Sequence, residues 1–163
     1  MANILLIASK GLAALPYEFN AWIEQYNSQG HKFIVGDLKM SDDIIHRTLS
    51  GLGAIENTTL YALDKVGSNR YGIKEKLYRH TYDSETKRLC IKATDDDSDV
   101  TELDVKSEAD IETTEQFYEF RDRRMIKDCD VGVFVVVGEV SKRIDKMMRI
   151  MSIYNKPIYL IKV

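Results

Sequence analysis

Short apolar runs alternate with amphipathic stretches along the first part of the chain. Residues 3–8 form an apolar run typical of a strand buried on both faces. Apolar residues recur at helical spacing between Phe19 and Tyr26, and residues 31–35 predict a second strand. A second helical pattern follows Ser41, the expected N-cap, and residues 58–63 predict a third strand. This alternation predicts a parallel sheet with helices on its faces.

The same alternation returns after a less apolar middle. Residues 115–127 and a stretch that follows Ser141 have helical periodicity, whereas residues 131–137 and 158–163 predict strands. The core pattern therefore comprises five strands and four helices. We expect an α/β fold with a five-stranded parallel sheet in the order 3-2-1-4-5, within a single domain of residues 1–163.

Residues 65–113 are expected to form an insertion between the third and fourth core strands. Residues 88–93 and 100–105 alternate like two strands, and the turn-forming residues 94–99 between them predict an antiparallel hairpin. Residues 71–82, which lead into it, are expected to be helical or irregular. The alternative interpretation of the insertion is a solvated excursion without a role.

The composition is that of an ordinary globular protein. The chain has 163 residues, of which 44% are apolar and 30% are charged, so disorder is not expected. No apolar run is long enough to span a bilayer, and no signal-peptide pattern precedes the first strand. With two cysteines, a reducing, cytoplasmic compartment and no membrane partner are expected. The three histidines lack metal-ligand spacing, so we expect neither a metal nor a cofactor.

The net charge of −3 conceals a strongly acidic segment. Residues 95–112 carry nine acidic side chains and one basic one, a net charge of −8, so the remaining chain carries +5. This distribution does not indicate a nucleic-acid-binding protein. It is compatible with a local basic site on an otherwise mixed surface.

Three loops follow the carboxyl ends of predicted strands, where open parallel sheets bind their ligands. Two of these loops lead into predicted helices with a capping serine, and helix N-termini attract anions. A phosphate-bearing small molecule is therefore the expected ligand, with Asp37 binding ribose hydroxyls and Lys142 binding phosphate. The alternative for each loop is an ordinary tight turn or helix cap. The expected binding residues in these loops are Ser9, Lys10, Gly11, Gly36, Asp37, Gly138, Ser141 and Lys142.

An arginine occupies the inward-facing line of the predicted helix 115–127. Arg121 shares this line with Tyr118, Met125 and Cys129, at spacings of three and four residues. A buried arginine is costly unless it is paired or lies beside a cleft. We expect Arg121 to project into the crevice and bind phosphate, the alternative being a side chain that snorkels to the rim.

These residues resemble a motif of the SLOG superfamily, whose Rossmann-like members are related to the LOG phosphoribohydrolases and to the DNA-processing protein DprA. Arg121, Asp122 and Met125 match an Arg-[Asn/Asp]-x-x-Met helix of a small bacterial and phage branch. Asp130 matches the aspartate that precedes the next strand, and residues 33–37 resemble the second-strand turn of that branch. The resemblance implies a nucleotide or ADP-ribose-like ligand, and it also implies a homo-oligomer because family members commonly self-associate.

Three hypotheses for the function follow. The first is a nucleotide-binding protein of SLOG type without turnover, because Arg143 and Ile144 stand where the family has Gly-Thr. The second is a hydrolase or transferase that acts on the N-glycosidic bond of nucleotides, with Glu139 or Asp122 as the catalytic carboxylate. The third is a phage-type regulatory protein that binds a protein partner through the acidic hairpin or the basic last helix.

Overall fold

The structure, a computed structural model, describes residues 1–38, 41–64, 69–113 and 115–163. Residues 65–68 of the expected insertion lie outside the described residues. The described part of the chain contains eight strands and four α-helices. The strands are β1 (Asn3–Ala8), β2 (Lys32–Val35), β3 (Thr58–Leu63), β4 (Lys74–Asp83), β5 (Arg88–Ala93), β6 (Val100–Asp104), β7 (Val131–Val136) and β8 (Ile158–Lys162). The helices are α1 (Tyr17–Ser28), α2 (Asp43–Gly51), α3 (Glu115–Asp128) and α4 (Lys142–Ile153).

The strands form one mixed sheet in the order β6-β5-β4-β3-β2-β1-β7-β8. Six neighbouring strands run parallel to one another, namely β4, β3, β2, β1, β7 and β8. Strand β5 pairs antiparallel with both β4 and β6. Strand β1 lies at the centre, with β2 on one side and β7 on the other. The chain thus reverses its direction of winding at β1, and such a switch point is where open α/β sheets form their ligand crevice.

The helices cover both faces of the sheet because strand residues alternate between them. On one face, Ile4 and Leu6 of β1 pack with Phe19 and Ile23 of α1 and with the apolar residues of α2. On the other face, Leu5 of β1 packs with residues of α3 and α4. The two apolar cores hold the carboxyl ends of the parallel strands at one edge of the sheet, next to the start of α4.

The expected sheet of five strands is part of a larger sheet of eight. The expectation that residues 71–82 are helical or irregular is wrong, because they contribute most of β4, which pairs in parallel with β3. In β4 only Tyr78 is buried, and the other side chains are polar or partly exposed. Its apolar signal is therefore too weak to predict a strand from periodicity. Strands β5 and β6 pair over Arg88–Asp104 and continue the same sheet.

The start of α2 also differs from the expectation. Asp42, not Ser41, occupies the N-cap position, and neither side chain makes a capping hydrogen bond there. Ser41 is instead buried in the turn that precedes the helix. By contrast, Ser141 caps α4 as expected, since its hydroxyl oxygen accepts a hydrogen bond of 3.2 Å from the amide of Ile144. None of the helices in the described ranges is long and apolar enough to cross a membrane.

Candidate functional site

The ends of β1 and β7 are joined by Ser9. Its amide donates a hydrogen bond of 2.9 Å to the carbonyl of Val135, and its hydroxyl oxygen accepts one of 2.9 Å from the amide of Val137. Both loops that follow contain a glycine in the left-handed region, Gly11 at φ 90° and Gly138 at φ 70°. A side chain would strain the backbone at these positions. Ser9 and the two glycines therefore shape the opening between the strands.

A cavity of about 340 Å³, which we call the crevice, opens between these loops. It lies at the carboxyl edge of the sheet, between β1 and β7. Its apolar wall is formed by Ala8, Leu38, Val137 and Ile144. Its polar wall is formed by Ser9, Lys10, Ser41, Glu139, Ser141 and Arg143. The crevice therefore contains three of the expected binding residues, Ser9, Lys10 and Ser141, and the carboxylate of Glu139.

Three polar side chains of the crevice, those of Lys10, Ser41 and Glu139, have no protein partner within the described ranges, and the first two can donate hydrogen bonds. Lys10 is exposed and forms neither a hydrogen bond nor an ion pair with a described residue. Ser41 is only 4% exposed, yet its hydroxyl forms no hydrogen bond with any residue that the structure describes. Buried hydroxyls are normally hydrogen-bonded. An ammonium group and a hydroxyl are thus both available to a ligand in the crevice.

The amino end of α4 forms one side of the crevice. Ser141 uses an acceptor lone pair to cap the helix, which leaves the proton of its hydroxyl for another acceptor. The amides of the first turn carry the positive end of the helix dipole. Together with the ammonium group of Lys10, this end of α4 offers an anion positively polarised donors in the crevice, whose wall also carries the carboxylate of Glu139.

The expectation that Arg121 reaches into the crevice is wrong. Its side chain is 0% exposed and makes a buried ion pair with Asp37, which is itself 2% exposed. A second guanidinium nitrogen lies 3.4 Å from Asp122 Oδ1. Arg121 thus joins α3 to the loop after β2. Pairing reduces the free-energy cost of a buried charge. The sequence pattern allowed for this, since it required a buried arginine either to be paired or to lie beside a cleft.

Asp37 is correspondingly unavailable to a ribose. One of its carboxylate oxygens is bonded to Arg121, and the other accepts a hydrogen bond of 3.1 Å from the amide of Leu63 at the end of β3. Burial raises the pKa of Asp37, and the guanidinium of Arg121 opposes that rise. The side chain therefore connects β2, β3 and α3 in the interior.

Gly36 is a packing residue and does not line the crevice. A Cβ at this position would lie 2.7 Å from Asp42 Oδ2, so no other residue fits without displacing that carboxylate. The same oxygen accepts a hydrogen bond of 2.8 Å from the amide of Leu38, and His46 Nε2 lies 2.7 Å from the carbonyl of Gly36. These contacts of Asp42 and His46 hold the loop after β2 against α2.

Asp122 of α3 and Arg143 of α4 form an ion pair at the wall of the crevice. Two nitrogens of the Arg143 guanidinium each lie 2.9 Å from a carboxylate oxygen of Asp122. Burial alone would lower the pKa of Arg143, but the hydrogen bonds to Asp122 outweigh it and raise the pKa. Because both oxygens of Asp122 face guanidinium groups, the carboxylate is not placed to act as a nucleophile or base.

A second cavity, which we call the α3–α4 pocket, lies beside the crevice and has a volume of about 360 Å³. Lys142, expected in the crevice, lines this pocket instead, on the far side of Arg143. The walls are largely apolar, with charged side chains at the rim. They comprise Leu38, Tyr118, Glu119, Asp122, Lys142, Arg143, Lys146, Met147 and Ile150.

The residues that sequence reasoning missed are Ser41 as a crevice residue, Asp42 and His46 as supports of the loop, and Arg143 as a wall. The sequence places Lys142 and Arg143 in the first turn of α4, at the positive end of the helix dipole, where cations are unfavourable. That local conflict is the signal that could have identified Arg143, because a cation held at this end needs an anionic partner. Asp42 and His46 gave no comparable signal, since both have ordinary positions on a helix.

Within the described residues, no group of three or more histidine, cysteine, aspartate or glutamate side chains could hold a metal ion. Comparison of the chain with models of known protein families, with characterised proteins and with solved structures finds no match.

Proposed function

We propose that this protein binds a nucleotide-type ligand in the crevice without turning it over, in a Rossmann-like fold of SLOG type. The observation that carries the proposal is the pair of unpartnered donors, Lys10 and Ser41, in the cavity that the amino end of α4 borders. Lysine, hydroxyl and helix amides together are the donors that bind phosphate oxygens. The position at the switch point of the sheet supports the same assignment.

Binding without turnover is favoured over hydrolysis of an N-glycosidic bond. Asp122 has its oxygens committed to Arg143 and Arg121. Glu139 lines the crevice, but no described residue forms a hydrogen bond or ion pair with it that would position it as a base. Catalytic carboxylates normally work in a positioned pair or beside a group that tunes them.

A regulatory protein that acts through its charged surfaces is less well supported. On α4, the side chains of Arg143, Lys146 and Arg149 form ion pairs with acidic side chains of this chain. In the acidic segment, Asp99 is bonded to Arg124 and to Tyr78. Three of the four cations of α4 are thus paired within the fold, which leaves less charge on this helix for a partner.

We also propose that the protein forms a homo-oligomer. Strand β8 is an edge of the sheet, and it exposes Tyr159 and Leu160, with Tyr159 60% exposed; Val163, which follows the strand, is exposed as well. Ile153 and Tyr154, at the end of α4, are exposed as well. An open strand edge with apolar side chains favours association with another chain.

Calorimetric titration with the four common 5′-nucleoside monophosphates tests the proposed function. We expect at least one to bind the wild-type protein and Lys10→Ala to weaken its affinity about tenfold, the loss expected for one charged hydrogen bond. Ser41→Ala should also weaken it. Lys74→Ala is the matched control, since Lys74 is likewise exposed and without a described partner but lies at the amino end of β4. Absence of binding by all four, or equal affinities in Lys10→Ala and wild type, would contradict the assignment.

A further inference from the structure

The α3–α4 pocket has the character of a site for a flat apolar group. Met147 and Ile150 form its buried floor, and Tyr118 and Leu38 contribute to its walls. Its volume of about 360 Å³ lies within the range of small-molecule sites. Ligand sites are commonly apolar cavities with a few polar groups that fix the orientation of the ligand.

The pocket and the crevice adjoin at Arg143. Leu38 and Arg143 line both cavities, so a single ligand that extends past these two side chains reaches both. The two bonds to Asp122 hold the Arg143 guanidinium in one orientation. A guanidinium plane that is fixed in this way offers a surface on which a flat ring can stack.

From this arrangement we propose that the α3–α4 pocket binds the base of the nucleotide whose phosphate lies in the crevice. This inference rests on the proposed function. It divides the ligand between a phosphate subsite at Lys10 and Ser41 and a base subsite at Tyr118 and Met147. A ligand that lacks the base fills only the first of these subsites.

The charge of the pocket rim fits an anionic ligand. Three cationic side chains, Lys142, Arg143 and Lys146, face two acidic ones, Glu119 and Asp122. Arg143 and Lys146 are paired with these acids, whereas Lys142 is exposed and has no ion-pair partner among the described residues. The positive charge of Lys142 therefore adds to that of Lys10, which lines the neighbouring crevice. Neutral or cationic aromatic compounds gain nothing from either lysine.

The test is a titration followed by NMR of protein labelled with ¹³C at the methionine methyl groups and with ¹⁵N at the amides. The probes are the four 5′-nucleoside monophosphates in turn and ribose 5-phosphate. We expect a nucleotide to shift the Met147 methyl signal and the amides of residues 9–11 and 141–144. Ribose 5-phosphate should shift those amides and leave Met147 unchanged. The internal control is Met151, which is also buried on α4 but packs against Gly132 of β7.

The outcomes separate this inference from the proposed function. Shifts of the crevice amides without a shift of Met147 at saturating nucleotide overturn the base subsite and leave the phosphate subsite intact. No shift of the crevice amides with any probe overturns both. As a second measurement, Tyr118→Ala should raise the Kd of the nucleotide about tenfold and leave that of ribose 5-phosphate unchanged. Equal effects on the two probes would contradict a specific role in binding the base. Tyr17→Ala, at an exposed site on α1, is the control.

Discussion

Arg121 and Asp37 lie 84 positions apart in the chain and form an ion pair from which solvent is excluded. The pair connects the middle of α3 to the loop that follows β2. Asp37 extends the connection to β3 through the amide of Leu63. The arginine that a sequence motif presents as a phosphate ligand is thus part of the interior that holds the crevice in shape.

Replacing Arg121 should therefore affect stability more than binding. Arg121→Met leaves the carboxylate of Asp37 buried without its ion-pair partner, and we expect it to lower the free energy of unfolding by about 3–5 kcal/mol. Urea denaturation measures this loss. Arg123→Met is the matched control on the same helix, since Arg123 is exposed and forms a surface ion pair with Glu119, and it should cost less than about 1 kcal/mol. A normal stability of Arg121→Met combined with lost nucleotide binding would instead assign Arg121 to the ligand.

The two serines that precede helices should respond differently to replacement by alanine. Ser141→Ala removes the cap of α4 and should lower the free energy of unfolding by about 1 kcal/mol. Ser41→Ala removes a hydroxyl without a described partner, so stability should be unchanged while nucleotide affinity falls. Thermal unfolding and calorimetric titration of the two variants make the comparison. A cost for Ser41→Ala as large as that for Ser141→Ala would mean that Ser41 has a structural role.

Lys156 should stabilise the end of α3. Its ammonium group donates hydrogen bonds of 2.6, 2.7 and 2.6 Å to the carbonyls of Ile126, Lys127 and Cys129. The last carbonyls of a helix lack partners within the helix and form the negative end of its dipole. Lys156→Met keeps most of the side chain and should lower the free energy of unfolding by about 1.5–3 kcal/mol in urea denaturation. Lys162→Met, at an exposed position, should have little effect, and equal stabilities of the two variants would contradict this role.

The turn between β5 and β6 should depend on a single aspartate. Asp99 Oδ1 accepts a hydrogen bond of 2.6 Å from Arg124 Nε on α3, and Asp99 Oδ2 accepts one of 3.0 Å from the hydroxyl of Tyr78. Asp99→Ala should lower the free energy of unfolding by about 2 kcal/mol and speed amide hydrogen exchange in β5 and β6. Asp97→Ala, at an exposed position in the same turn, should leave the exchange rates unchanged. Unaltered exchange in Asp99→Ala would show that the turn does not depend on this contact.

The sequence predicts those elements whose apolar periodicity is strong. Strands β1, β3 and β7 and helices α1, α3 and α4 lie where the pattern indicates, because each buries a continuous apolar face. Strand β4 escapes detection, since its stability comes from pairing with β3 and β5 and it buries a single ring, that of Tyr78.

The candidate site is harder to predict from the sequence, because the side chains that pair with one another there are distant in the chain. The positions of Ser9, Lys10 and Ser141 follow from the rule that ligands bind at the carboxyl ends of parallel strands. The roles of Asp37 and Asp122 do not, since they depend on which arginine lies opposite each of them after folding. Nothing in the local sequence distinguishes a buried ion pair from a charged ligand contact.

Native mass spectrometry of the freshly purified protein tests most directly whether the crevice holds a nucleotide. The account predicts a bound mass in the range of a nucleotide, either retained from the cell or acquired from the panel of monophosphates, that is diminished in Lys10→Ala. The same spectrum gives the number of chains in the assembly. A wild-type protein that carries no bound mass, even with each monophosphate added, would contradict the account.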